Sequence, residues 1–305
     1  MKILVTGATG LVGTALVEAL ARDGHTVCRL MRPHGEKRDP SAGFDVAWDP
    51  ATGELGGAAV GPDAVVNLAG ASIAGGRWSE ERKQVLRSSR IDTTRALVGA
   101  ISKMATRPSV LLSASAVGYY GRRGEEILTE DGGPGDDFLA SLAMEWEAEA
   151  RKAEALGIRV VLLRFGIILA KHGGALPPMM LPFRFGVGGK LGSGEQWMSW
   201  ITLADTVQII QLALKNEAVN GPLNVVAPQP VTNADFTKTL AKAMHRPAIF
   251  PAPVFALRLA LGREMADALL LGSQRAIPQR LLGLGYSFQH ADLFAALHAI
   301  LRAGR

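Results

Sequence analysis

Residues Lys2 to Thr6 form a short apolar run that leads straight into Thr6-Gly7-Ala8-Thr9-Gly10-Leu11-Val12-Gly13. Behind it, Leu16, Val17 and Leu20 mark one face of a helix ending near Gly24. Glycines at these spacings serve a tight strand-to-helix turn, close approach of backbone to a pyrophosphate, and close packing of helix on strand. The helix start then offers free N–H groups and a partial positive charge to the phosphates. A glycine triplet alone is a weak signal. Here it sits between the chain's first strand and first helix, which is the context the mechanism requires. Gly7, Thr9, Gly10, Leu11, Val12 and Gly13 are therefore the expected phosphate cradle, with a plain structural turn as the alternative.

The remaining pattern supplies a sheet for that loop. Val27 to Met31, Val65 to Leu68, Val110 to Ser113 and Val160 to Leu163 read as buried strands. Helices are expected from Ser79, as cap, to Lys103 and from Phe138 to Leu156. Strands alternating with helices predict an α/β fold, a doubly wound parallel sheet with right-handed crossovers. After Leu169 the texture changes: His172-Gly173-Gly174 and Pro177-Pro178 are expected to break regular structure, and 186–194 is glycine-rich. We assign 1–170 to the nucleotide domain, with 202–226 returning to the sheet. Residues 171–201 and 227–305 form a smaller, partly helical cap.

Several classes are excluded by composition. No apolar stretch reaches membrane-spanning length, since Val160 to Ala170 is broken by Arg164. Cys28 is the single cysteine, so neither a disulfide framework nor a cysteine-rich metal site is available. Met1 to Val5 is too short for a signal-peptide core. The expected location is cytoplasmic. The chain of 305 residues carries a net charge of +5, but its basic residues are scattered and aromatics make up only 6%, which argues against a nucleic-acid partner. The six histidines show no paired helical spacing, so no metal site is expected. Gly-x-Ser-x-Gly is absent around Ser113 and Ser115, which removes a hydrolase elbow.

The end of the second strand bears on cofactor choice. A carboxylate there would hold an adenosine ribose. This chain reads Arg29-Leu30-Met31-Arg32, with no acid until Glu36. A guanidinium suits a 2′-phosphate through charge-assisted hydrogen bonds. Arg32, helped by Lys37 or Arg38, is the expected contact, and NADP(H) is favoured over NAD(H). A solvated basic loop is the alternative.

Together these residues resemble the extended short-chain dehydrogenase/reductase superfamily. More narrowly, they are similar to its atypical epimerase-like branch, which ends in a C-terminal domain of unknown function. The stretches that carry the likeness are the Thr6–Gly13 loop, Asn67-Leu68-Ala69-Gly70, Arg77-Trp78, Ser89-Arg90, Ser113 to Gly121, Trp146-Glu147, Arg164-Phe165-Gly166, Leu181-Pro182-Phe183, Gly192-Ser193-Gly194 and Trp200-Ile201. They span essentially the whole chain. The resemblance implies an NAD(P)-binding Rossmann domain with the backbone of Leu68, Ala69 and Gly70 along the adenine and ribose. It implies a small-molecule substrate, such as a nucleotide-sugar or other carbonyl compound, and Ser115 as the catalytic serine, with Ser113 as alternate. Arg90 stands where the superfamily often has asparagine. It is expected either to reach the cofactor or to make a surface ion pair with Asp92 or Glu81.

One departure is central. The superfamily uses Tyr-x-x-x-Lys, in which the lysine lowers the tyrosine pKa so that its phenol can shuttle a proton. The three tyrosines here, Tyr119, Tyr120 and Tyr286, are followed four positions on by Arg123, Gly124 and His290. The helix that should carry the pair begins Phe138-Leu139-Ala140-Ser141-Leu142. Two expectations follow: Tyr120 or Tyr119 supplies the proton beside Ser115, or the protein binds NADPH as a regulatory or structural protein without turnover.

Other residues have simpler readings. Asp136 and Asp137 either cap a helix or bind a polyhydroxy substrate, and Thr202 to Asp205 and Thr232 to Asp235 resemble capping boxes. Trp197, Met198 and Trp200 either stack on a substrate or pack between domains. Lys190 either meets an anionic substrate or is a solvated loop lysine. The apolar stretch Phe255 to Leu271 reads as a helix pair that packs on the cap or on a second subunit, so a homodimer is possible.

Overall fold

The computed structural model describes residues 1–32, 44–56 and 61–302. Its strands are, in chain order, β1 (Lys2–Thr6), β2 (Thr26–Met31), β3 (Phe44–Asp49), β4 (Glu54–Leu55), β5 (Ala64–Asn67), β6 (Val110–Ala116) and β7 (Ile127–Leu128). They continue with β8 (Arg159–Phe165), β9 (Ile167–Leu169), β10 (Trp197–Met198), β11 (Trp200–Thr202), β12 (Gly221–Val225), β13 (Val231–Thr232) and β14 (Arg275–Ala276). Eight of them make one sheet in the order β12-β8-β6-β5-β1-β2-β3-β4, parallel except for the β3–β4 edge. The order reverses between β1 and β5. Such a reversal opens a crevice at the carboxyl ends of the strands.

Both faces of the sheet are covered, and the period of two shows directly. Ile3, Val5, Val66, Leu112 and Leu163 face one core with α1 (Leu11–Arg22) and α6 (Leu203–Lys215). Leu4, Val65, Leu111 and Leu162 face the other. There they meet Leu97 and Ile101 of α3 (Thr93–Ser102) and Ala150 of α4 (Phe138–Arg151). Ile3, Leu4 and Val5 are all fully buried. At roughly 1.5–3 kcal/mol for each such side chain, burial outweighs the small β-propensity differences that would choose the strand's exact ends.

The segment expected as one helix from Ser79 is α2 (Glu80–Arg87), a π-helical turn at Ser88–Asp92, and α3. Ser79 caps it, accepting from Arg82 N at 3.2 Å. The expectation that Pro177-Pro178 breaks regular structure is corrected. These prolines occupy the first turn of α5 (Leu176–Arg184), where no intrahelical N–H is required.

The region after β9 builds a third core. Leu176, Met180 and Phe183 of α5, Phe236 and Leu240 of α7 (Asn233–Met244), Leu297 of α11 (Leu293–Arg302) and Trp200 pack there. Two short helices, α8 (Val254–Leu261) and α9 (Arg263–Leu269), lie between the cores in sequence, followed by α10 (Gln279–Gly283). The C-terminal stretch also returns to the main sheet's layer. β14 pairs with β7, and Leu281 of α10 joins the core that holds α1 and α6. No described helix is long and apolar enough to cross a membrane.

Candidate functional site

The glycine loop turns at the end of β1 with Gly7 at φ +64°. A β-carbon on Gly7 would lie 2.5 Å from the Leu68 carbonyl oxygen, and one on Gly13 would lie 2.1 Å from the Gly7 carbonyl oxygen. Both are therefore fixed by backbone-to-backbone packing. Gly10 differs: it is exposed, and a β-carbon there would meet nothing nearer than the Gly7 carbonyl oxygen at 3.3 Å. It is the N-cap of α1, offers no side-chain cap, and is followed by a first turn without acids. The first intrahelical bond runs from Thr14 N to Gly10 O at 2.9 Å. The N–H groups of Leu11, Val12 and Gly13 thus point out of the helix beside exposed Thr9 and Gly10, as an anion cradle needs.

Thr6 ties this loop to the next strand. Its hydroxyl donates to Asn67 Oδ1 at 2.7 Å and accepts from the backbone N–H of Leu68 and Ala69 at 3.1 and 3.2 Å. Asn67 Nδ2 donates to Thr94 at 2.8 Å and to Ser113 at 3.2 Å, and Trp146 Nε1 also donates to Thr94. Ser113 is wholly buried in this network. The following peptide is clamped from the π-helical turn: Ala71 N donates to Ser89 Oγ at 3.0 Å, while Arg90 Nη2 donates to Ala71 O at 2.9 Å. Arg90 makes neither ion pair considered from sequence; its other hydrogen bonds go to Leu86 O and Ser89 Oγ. Burial, with Arg82 nearby, lowers its pKa to about 10, so it remains a cation at neutral pH. Its guanidinium carbon would lie 3.2 Å from a β-carbon on Gly70, which places the charge directly under the 68–71 loop.

Arg32 follows the last residue of β2 and is exposed. The adjoining strand β3 carries two acids: Asp45 is held by Arg29 at 2.7 Å, and Asp49 accepts from Ala51 N at 2.9 Å. Lys37 and Arg38 lie outside the described residues.

Ser115, near the end of β6, is buried and donates to Glu147 Oε1 at 2.7 Å. Glu147 comes from the inner face of α4 and accepts from Arg164 Nε at 2.8 Å and Nη2 at 2.9 Å. The Arg164 guanidinium lies over the Tyr119 ring at 3.5 Å, and its Nη1 donates to the Tyr120 hydroxyl at 3.0 Å. Burial works to lower the Arg164 pKa, but Glu147 and Tyr120 outweigh it and the net shift is upward. Tyr120 was expected to face the substrate. Its side chain is instead fully buried, with the hydroxyl donating to Asn224 Oδ1 of β12 at 2.7 Å, and burial raises its pKa. Tyr119 is half-buried beside it. The match of Arg123 to Tyr119 carries no contact, because Arg123 binds the carbonyls of Tyr120, Gly133 and Pro134.

The secondary candidates have structural partners. Asp137 caps α4, accepting from Ala140 N, and Thr202 and Thr232 each cap a helix and donate to the following aspartate. Met198 and Trp200 are buried in the third core, while Trp197 is covered by Arg275 at 4.1 Å. Lys190 is exposed and donates to Ser193 O. No cluster of potential metal ligands occurs among the described residues.

A crevice at the β1/β5 reversal, a glycine cradle and a threonine-braced second loop lie together, and the sequence pattern of the NAD-dependent epimerase/dehydratase family matches residues 3–226. The chain belongs to that family. Residues 252–300 match a domain of unknown function, DUF1731. The chain is 42% identical to epimerase family protein Mb2239 of Mycobacterium bovis over 99% of its length and 98% of that protein's. The crystal structure of human epimerase family protein SDR39U1 with NADPH superposes with a TM-score of 0.89 at 38% identity, covering 99% of this chain and all of that one. A nucleoside-diphosphate sugar epimerase from Corynebacterium glutamicum matches at 35% identity and TM-score 0.78, over 98% of this chain and 58% of the other.

In this epimerase-family protein the fold also brings together polar residues to which the sequence assigned no role of their own. Thr6, Asn67, Thr94, Glu130 and Asn224 are buried polar residues from five different segments. Thr6 and Asn67 stood inside sequence motifs without a role; Thr94, Glu130 and Asn224 are revealed only by what they meet. Glu147 and Arg164 were legible as parts of motifs, but not as the partners of Ser115 and Tyr120.

Proposed function

We propose that the protein is an NADP(H)-binding oxidoreductase of the epimerase type, acting on a small carbonyl or sugar-derived substrate in the cytoplasm. The observation that carries this reading is the glycine mouth of α1, free of acids, beside exposed Arg32. The cradle fits the cofactor: Gly10 leaves its outer side open, and of the two acids in the adjoining strand Asp45 is committed to Arg29 while Asp49 accepts from the Ala51 N–H. In this reading Gly7, Thr9, Gly10, Leu11, Val12 and Gly13 hold the pyrophosphate, and Arg32 holds the 2′-phosphate. The 68–70 backbone lies along adenine and ribose, with Arg90 setting that loop and its positive field and Ser113 bracing it from below. A bound nicotinamide supplies hydride exchange. Ser115 would hold the substrate oxygen, with Glu147 accepting or returning the serine proton and Arg164 fixing the carboxylate. Tyr120 takes a positioning role, anchoring Arg164 from its other side.

Fluorescence titration of NADPH and NADH tests the reading. We expect NADPH to bind more tightly and Arg32→Ala to remove roughly tenfold of that preference, about 1.4 kcal/mol. Equal binding of both cofactors by the unaltered protein would overturn the role of Arg32.

A second reading is favoured by a specific absence. Tyr-x-x-x-Lys is missing, Ser115 is bound to Glu147 and Tyr120 is buried. A protein that binds NADPH without turnover would show no hydride exchange across a panel of sugar-derived and carbonyl compounds, and one efficient substrate rejects it. The apolar side chains left on α8 support a homodimer through that face.

A further inference from the structure

A cavity of about 400 Å³ lies between the start of α4 and helix α9. Trp78, Asp137, Phe138 and Arg122 line it from one side; Arg263, Glu264 and Asp267 line it from the other. It therefore joins the part of the chain matched by the epimerase family to the part matched by DUF1731.

The charges in this cavity are unequally committed. Glu264 pairs with Lys83 at 2.6 Å, and Asp267 accepts two hydrogen bonds from Arg258 at 2.9 and 3.1 Å. Arg122 is exposed and has no hydrogen bond or ion pair among the described residues. Arg263 reaches its nearest carboxylate oxygen, on Asp267, only at 3.9 Å, and that group is already held by Arg258. Asp137 accepts the Ala140 N–H through Oδ1, which leaves Oδ2 free of hydrogen bonds among the described residues. One wall is an edge-to-face aromatic pair: the Trp78 and Phe138 centroids lie 5.2 Å apart, and Trp78 Nε1 is tied to Ile73 O at 2.9 Å.

Two uncommitted guanidiniums, one free carboxylate oxygen and a fixed aromatic wall complement a ligand with one strongly anionic group, hydroxyls and an apolar ring face. We propose that this cavity binds a sugar monophosphate, with its phosphate between Arg122 and Arg263, a hydroxyl donating to Asp137 Oδ2, and the ring face against Trp78 and Phe138. The volume stands near the lower end of small-molecule sites, which suits a hexose phosphate better than a whole nucleotide-sugar. The inference goes beyond the proposed function, because none of the residues assigned to the cofactor or to Ser115 lines this cavity.

Isothermal titration of the NADPH-loaded protein with glucose 6-phosphate, glucose, inorganic phosphate and UDP-glucose tests it. Glucose 6-phosphate is expected to bind saturably at millimolar concentration or below, more tightly than glucose, inorganic phosphate or UDP-glucose. The double variant Arg122→Ala/Arg263→Ala should weaken it at least about tenfold. Its melting temperature should be unchanged, because both side chains are exposed. Asp137→Asn keeps a helix cap and should weaken glucose 6-phosphate but not inorganic phosphate. Equal affinity in the arginine variant, no binding of glucose 6-phosphate, or tighter binding of any of the other three compounds would overturn the proposal. NADPH is titrated in the same preparations. Retained NADPH with failed sugar-phosphate binding defeats this inference alone, whereas failure to bind NADPH defeats the cofactor reading.

Discussion

Gly10 and Gly13 are equivalent in the sequence pattern yet meet different surroundings. Gly13 abuts the Gly7 carbonyl, so Gly13→Ala forces backbone apart, and we expect a loss of about 1–3 kcal/mol in thermal or denaturant unfolding together with lost NADPH binding. Gly10 faces outward, so Gly10→Ala should leave the melting temperature unchanged while weakening NADPH. If both variants melt alike, the division of roles is wrong. The Ser115–Glu147–Arg164 cluster invites a similar comparison. Glu147→Gln leaves Arg164 buried without its counter-charge, which costs about 3–5 kcal/mol in denaturant unfolding. Ser115→Ala removes one hydrogen bond to the Glu147 carboxylate and should cost less, about 1.5–3 kcal/mol. Ser115 was legible because a motif names it. Glu147, thirty-two positions further on, was not legible as its partner because no local pattern encodes a contact made by folding a helix over a strand.

Helices and strands show where local preference yields to packing. The capping serine before α2 and the aspartate before α4 act as local chemistry requires, since each satisfies an N–H within its own turn. The π-helical turn at Ser88–Asp92 has no such local cause. It presents Ser89 and Arg90 to the same peptide, Ala71, and that need is set by the loop after β5. Glu130, which follows β7, plays a comparable part, accepting from the N–H groups of Asn224 in β12 and Arg280 in α10. Burial raises its pKa above the ordinary 4.5, although those hydrogen bonds oppose the shift. The folded state therefore favours the protonated carboxyl. Its contribution is fully present below that value and is lost as pH rises through the folded pKa. Glu130→Gln keeps an acceptor and cannot ionise. Its melting temperature should fall less than that of the unaltered protein as pH rises from about 4 to about 8, and parallel curves would contradict this.

Across the whole chain, the C-terminal stretch is joined to the rest both by apolar packing, as at Leu281 and Ala276, and by specific polar groups. Arg77 donates to the carbonyls of Leu259 and Ala260 at the end of α8, and Lys83 pairs with Glu264 of α9. α8 contributes no buried residue, and Phe255 and Leu259 are 73% and 76% exposed, with Ile249 and Phe250 also open. An apolar patch of this kind is characteristic of an association surface. Light scattering after gel filtration should report a dimer, and Phe255→Asp with Leu259→Asp should yield a monomer that still binds NADPH. A monomeric unaltered protein would remove the homodimer from the proposal.

The parallel sheet, the cofactor loop and the lack of the Tyr-Lys pair could all be read from residue order, because each depends on neighbours within a few positions: a period of two, a glycine spacing, a count of four. The burial of Tyr120, the engagement of Ser115 and the cavity under α9 arose only on folding. Each joins segments far apart in the chain, through α4 folding over β6 for Ser115, β8 and β12 for Tyr120 and α9 for the cavity, and no short-range pattern specifies such meetings.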